Sequence, residues 1–214
     1  MSNQSWLNLI QRTSAIAVIR APQIEQGRQM AKAVASGGMQ VIEITWNSGG
    51  AAELIGQLRS ELPACTIGTG TLLNLDQEMT AIAAGAQFVF TPHVDPAMIQ
   101  AAAQRGVPIV PGALSPTEIV TAWLAGASCV KVFPVQAVGG ASYIKSLQGP
   151  LGQIPLIPTG GVTLENAKEF LAAGAIAVGL SSQLFPQHLM ASGNWEAIAQ
   201  LAKTLMQRLA TNRY

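Results

Sequence analysis

The chain has 214 residues, 49% hydrophobic and only 11% charged, and 12 Lys plus Arg against 11 Asp plus Glu leave a formal net charge of +1. Disorder needs low hydrophobicity with high net charge, and nucleic acid or an anionic membrane calls for a basic footprint, so no nucleic acid and no membrane partner is expected. The length fits one domain, residues 1–214, and a small molecule is the expected partner.

Cys65 and Cys129 stand far apart without CxxC spacing, which points to neither a disulfide framework nor a zinc site and fits a reducing compartment. The first twenty residues lack a basic segment followed by an apolar one, and no apolar run approaches the ~18 residues of a spanning helix. A cytoplasmic protein is expected.

In chain order, "QSWLNLIQRT" predicts a helix ahead of the first strand, and "AIAVIR" from Ala15 reads as that strand. The segments "SGGMQVIEIT", "AAGAQFVFTP", "QRGVPIVPG", "LAGASCVKVF" and "AAGAIAVGL" then repeat one pattern. A helical stretch ends in glycine (Gly38, Gly85, Gly106, Gly126, Gly174), the residue that takes a left-handed cap most easily, and a short β-branched run follows. The first and last intervals between these glycines are about twice as long as the others, and each hides a further strand, "CTIGTG" and "IPLIPTG". Eight strands are therefore predicted, beginning near Ala15, Val41, Cys65, Gln87, Val107, Ser128, Ile154 and Ile176. "NWEAIAQLAKTLMQRLA" predicts a closing helix. Strict alternation through eight units selects an α/β fold, a (β/α)8 TIM barrel in a single domain with an extra N-terminal helix. An open doubly wound sheet is the alternative, but no "GxGxxG" follows the first strand, and "GTGTLLN" from Gly68 lacks the third glycine.

Alternate residues of a barrel strand face the axis. In "SCVKVFP", Val130 and Val132 would face the helices, so Cys129, Lys131 and Phe133 face inward. Lysine is rarely buried without a partner, and desolvation favours its neutral, nucleophilic form, the form that makes Schiff bases. The same parity turns Ile42 and Ile44 outward and Glu43 inward, where Lys131 or Arg20 could pair with it. An internal salt bridge would stabilise little, which favours a functional role for both charges. After the seventh and eighth strands, "PTGGVTLEN" and "VGLSSQ" offer Gly160, Gly161, a helix start at Thr163 to Glu165 and the hydroxyl of Ser181 or Ser182, the place where such barrels bind phosphate. His93 and His188 lack partners at ligand spacing, so no metal and no cofactor are expected. A phosphate-binding isomerase or epimerase without a covalent intermediate, or a non-enzymatic ligand-binding barrel, would also fit these residues.

The motifs "AVIR", "GGMQVIEIT", "IGTGTLLN", "AGAQFVFTP", "VPGALSPTE", "VKVFP" and "PTGGVTLEN", in this order, resemble the Schiff-base aldolases. That family acts on 2-keto-3-deoxy-6-phosphogluconate (KDPG), its galactonate epimer and 4-hydroxy-2-oxoglutarate (KHG). The resemblance implies a carbon–carbon lyase in which Lys131 forms an imine with the keto acid and Glu43 is the general acid/base. It also implies that Arg20, Thr71, Pro92, Phe133 and Thr159 bind substrate, that Gly160, Gly161 and Ser182 hold its phosphate, that pyruvate is a product, and that the chain forms a homotrimer. Gluconate-type members resemble "TLRT" after the glutamate; this chain reads "TWNS", with Asn47 as in the galactonate branch, expected at the mouth of the second strand as a substrate-binding residue within reach of a substrate hydroxyl.

Overall fold

The computed structural model describes residues 1–210, so residues 211–214 of the expected domain lie outside the described residues. Helix α1 (Asn3–Thr13) starts where the Ser2 hydroxyl accepts from Ser5 N and ends at Ser14, whose φ of 58° turns the chain directly into β1 (Ala15–Ile19). There follow α2 (Ile24–Ser36), β2 (Val41–Thr45), α3 (Ala51–Glu61), β3 (Thr66–Gly70), α4 (Leu75–Ala83), β4 (Val89–Phe90) and α5 (Pro96–Gln104). The second half holds β5 (Ile109–Val110), β6 (Gly112–Ala113), α6 (Pro116–Leu124), β7 (Val130–Val132), α7 (Ala141–Leu151), β8 (Leu156–Pro158), α8 (Ala167–Ala172), β9 (Val178–Leu180), α9 (Gln187–Ser192) and α10 (Trp195–Ala210). The five glycines expected as caps have φ between 65° and 104°.

All strand pairs are parallel, in the order β5-β4-β3-β2-β1-β9 and, in a second sheet, β6-β7-β8. The sheets meet at a parallel bridge between Thr159 and Gly179 and at a hydrogen bond from Ser128 N to Ile109 O (2.9 Å). The result is an α/β fold around a parallel, curled sheet. Two features differ from expectation. From β3 onward the ladders open one or two residues after the predicted starts, because Gln87, Ser128 and Ile176 each donate a first cross-strand bond (to Ile67, Ile109 and Leu156) before the chain settles into register. The fifth predicted strand is broken in two at Pro111, which has no N–H to give to a ladder, so β5 pairs with β4 and β6 with β7.

The side chains separate by strand parity. Ile42, Ile44, Val130 and Val132 join the layer beneath the helices, while Ile16, Val18, Val41, Phe88, Phe90, Val110, Cys129, Ile157 and Ala177 fill the interior. Helix α1 completes that interior with Ile10 and Trp6, whose fully buried ring lies 4.8 Å from the Phe88 ring and 6.5 Å from that of Phe90. Truncating so enclosed an aromatic costs about 3–5 kcal/mol. With that end filled, the concave surface opens at the carboxyl ends of the strands, where α/β folds of this kind place their chemistry. Among the described residues no helix is long and apolar enough to cross a membrane.

Candidate active site

At the carboxyl ends lies a cavity of about 360 Å³ lined by Val18, Arg20, Glu43, Thr45, Thr71, Pro92, Lys131, Phe133, Thr159, Gly160, Gly161, Val162, Gly179, Ser181 and Ser182. Ten of the eleven residues expected at the site line it. Asn47 is the exception: it is exposed and contributes nothing to the cavity wall. Strand β2 ends at Thr45 and the chain turns, with Ser48 N donating to Thr45 O (2.9 Å), so the inward parity of Glu43 and Thr45 does not extend to a third residue.

Glu43 is 1% exposed, and among the described residues no group donates a hydrogen bond to its carboxylate; Oε1 is buried without a partner. Burial pushes its pKa up, against the opposing pull of Lys131 and then Arg20. Lys131 is 6% exposed and faces aromatic rings, its Nζ 4.7 Å from the centroid of Phe133 and 5.9 Å from that of Phe90. Among the described residues no ion pair within 4.0 Å involves Glu43, Lys131 or Arg20. The lysine and the glutamate thus share one cavity and one field, yet neither neutralises the other by contact. A buried polar atom left this way is costly for folding and is free to react.

Glycines in β3 make room for this arrangement. A Cβ at Gly70 would collide with the Glu43 carboxylate, and one at Gly68 would come within 2.6 Å of the Phe88 ring. The "GTG" of β3 is therefore a pair of missing side chains beneath the acid and the aromatic core. Thr71, next in the chain, is held at φ 64°, a conformation that β-branched residues avoid, and lines the mouth.

Opposite, the β8–α8 loop passes through Gly160 and Gly161 at φ 84° and 93°, and a Cβ on Gly161 would strike the Gln136 side chain. The expected helix start at Thr163 is displaced. Helix α8 begins only at Ala167, and the N–H groups of Thr163, Glu165 and Asn166 are taken up locally, by Asn166 Oδ1 and Thr163 Oγ1. The donors left for an anion are others: the N–H groups of Gly161, Val162 and Ser182 make no hydrogen bond among the described residues. They belong to residues of the cavity lining and lie in loops rather than at a helix terminus. His93 is half-buried outside the cavity wall, His188 is exposed, and among the described residues no three His, Cys, Asp or Glu side chains gather as metal ligands.

Sequence reasoning missed Thr45, Val18, Val162 and Gly179. Thr45 carries a readable signal, since it shares the inward parity of Glu43 two residues earlier. Gly179 has no side chain to advertise it; it faces Thr159 Oγ1, where a Cβ would come within 2.6 Å.

A buried amine and a buried acid at the carboxyl ends of a curled parallel sheet place the chain among α/β proteins whose site lies at that end of the strands. A family description, KDPG and KHG aldolase, matches residues 7–201, and the chain belongs to that family of carbon–carbon lyases. It is 33% identical to the 2-dehydro-3-deoxy-phosphogluconate aldolase of Treponema pallidum over 92% of this chain and 94% of that one. Among solved structures it superposes on KDPG aldolase from Legionella pneumophila, captured with pyruvate as a covalent carbinolamine (TM-score 0.86, 28% identity, 93% of this chain and 97% of that one). It likewise superposes on a native KDPGal structure (TM-score 0.83, 31% identity, 92% and 95%).

Proposed function

We propose that the protein cleaves 2-keto-3-deoxy-6-phosphogluconate or its galactonate epimer to pyruvate and glyceraldehyde 3-phosphate through a Schiff base on Lys131, and that it also cleaves 4-hydroxy-2-oxoglutarate. The observation that carries this reading is that Lys131 and Glu43, both buried, line one cavity with no ion pair between them. The free amine of Lys131 attacks the C2 ketone, and the C2 oxygen leaves as water, giving an iminium. Glu43, directly or through one water, takes the C4 hydroxyl proton as the C3–C4 bond breaks, and the bonding electrons move into the iminium to form an enamine. Glyceraldehyde 3-phosphate departs, C3 is protonated, and water releases pyruvate and the lysine.

Among the described residues Arg20 is the one guanidinium on the cavity wall; it meets the substrate carboxylate with Thr71, while Pro92, Phe133 and Thr159 shape the pocket. The phosphate lies against Gly160 and Gly161, with the free N–H groups of Gly161, Val162 and Ser182 and the Ser182 hydroxyl as donors. Because Asn47 is exposed, water can substitute for its hydrogen bonds, and both C4 epimers are cleaved with about tenfold discrimination or less. The same reading takes the two sheets as one closed (β/α)8 barrel in a single domain with α1 as its extra helix, assembled as a homotrimer in the cytoplasm.

Borohydride reduction in the presence of pyruvate, followed by peptide mapping, tests the covalent step. A reduced adduct is expected on Lys131. An adduct on Lys32, Lys145, Lys168 or Lys203 instead, or no adduct at all, overturns the assignment.

A further inference from the structure

Thr45 lines the cavity, is 1% exposed, and takes no part in the chemistry so far described. Its Oγ1 lies 3.2 Å from Ser48 Oγ, and Ser48 Oγ also accepts a hydrogen bond from Ala21 N (3.1 Å). A hydroxyl has one proton to give. If Thr45 donated to Ser48, the proton of Ser48 would be left without an acceptor among the described residues at a site only 7% exposed. If Ser48 donates to Thr45, the turn is satisfied and the Thr45 proton is the free one, in the cavity wall.

On the same face of β2, two residues earlier and about 7 Å along the strand, stands Glu43 with its unpartnered Oε1. A donor and an acceptor on one wall select what can bridge them. A carboxylate cannot give a proton to Glu43 and an ammonium cannot accept one from Thr45, whereas an oxygen bearing a proton does both. We propose that Thr45 orients the hydroxyl oxygen whose proton Glu43 takes, that this oxygen belongs to the substrate C4 hydroxyl or to a bridging water, and that Ser48 is a positioning residue that keeps Thr45 a donor. The proposal rests on the Schiff-base reading above.

The test compares Thr45→Val, Thr45→Ala, Thr45→Ser, Ser48→Ala and the Thr45→Val/Ser48→Ala double variant with the parent. Three measurements are made: aldol cleavage, borohydride trapping of pyruvate on Lys131, and loss of the pyruvate methyl proton signal in D2O by NMR. Pyruvate has no C4 hydroxyl, so methyl exchange follows proton transfer at C3 in the absence of that hydroxyl. Thr45→Val should lower kcat for cleavage about tenfold or more with little change in KM and with trapping intact, Thr45→Ser should restore most of the rate, and Ser48→Ala should lose severalfold. The double variant should be no slower than Thr45→Val, because Ser48 acts through Thr45. Exchange that slows with cleavage assigns the oxygen to water; exchange that persists assigns it to the substrate hydroxyl. Should Thr45→Val fail to fold, Thr45→Ala decides the matter by the same criterion. Cleavage within twofold of the parent, with trapping intact, overturns the role of Thr45. Additive losses in the double variant overturn that of Ser48, and a parent that traps no pyruvate overturns the Schiff-base reading and this proposal with it.

Discussion

Glu78 stores a pH-dependent instability that a single atom exchange should remove. It lies on α4 with 0% exposure, and neither carboxylate oxygen has a hydrogen-bond partner among the described residues. Burial pushes its pKa from 4.5 up to about 7, the charge of Asp95 at the start of α5 adds to the rise, and Arg105 at the far end of that helix draws it back. At about 1.4 kcal/mol for each pH unit between those two values, ionising Glu78 inside the fold costs up to about 3 kcal/mol. Because the folded state holds this proton more tightly than the unfolded chain, the contribution is fully present below pH 4.5 and is lost as pH rises through about 7. Glu78→Gln keeps the shape of the protonated acid and cannot ionise. Thermal melts of parent and variant should coincide near pH 4 and separate as pH rises. By pH 8 the variant should be more stable by up to about 3 kcal/mol, or about 6–12 °C at the about 2–4 °C per kcal/mol expected for a domain of this size. A Tm offset that does not change between pH 4 and pH 8, or that favours the parent at pH 8, refutes the reasoning.

Two further substitutions separate function from packing. Gly70→Ala should abolish most aldolase activity, about a hundredfold or more, with a smaller loss of Tm than Gly68→Ala, because the new methyl meets the Glu43 side chain, whereas at Gly68 it meets the Phe88 ring and backbone carbonyl; the reverse pattern would remove the glycines from the account. Ser182→Asp, at an exposed position beside the free N–H groups, should lower kcat/KM for the phosphorylated substrate about a hundredfold and for 4-hydroxy-2-oxoglutarate by less than tenfold, since only the former brings a like charge to these groups. Equal losses on both substrates would argue against a phosphate role.

What the sequence discloses follows local chemistry closely. The glycines after α2, α4, α5, α6 and α8 are read correctly because the left-handed cap is a property of one residue and its neighbours, and the inward parity of Lys131 and Glu43 is read correctly because alternation along a strand needs no knowledge of its partners. The misplacements occur where the outcome depends on a neighbour in space. The fifth strand divides at Pro111 because the residues before it pair with β4 and those after it with β7, and the helix after Gly161 starts late because Thr163 and Asn166 satisfy one another first.

Asn47 and Thr45 show the same division within five residues of chain. Counting by twos from Glu43 carries both into the cavity, yet the strand ends between them, and the hydrogen bond that ends it joins Ser48 N to Thr45 O. That turn leaves Asn47 exposed and brings the Ser48 hydroxyl within 3.2 Å of the Thr45 hydroxyl, so the residue that matches the galactonate branch by motif lies outside the cavity wall while Thr45 lies in it. A motif match identifies residue types at a spacing. The catalytic geometry depends in addition on where the strand stops, and here that is settled by one backbone hydrogen bond and by Ala21 N, which reaches Ser48 from the adjoining β1–α2 loop.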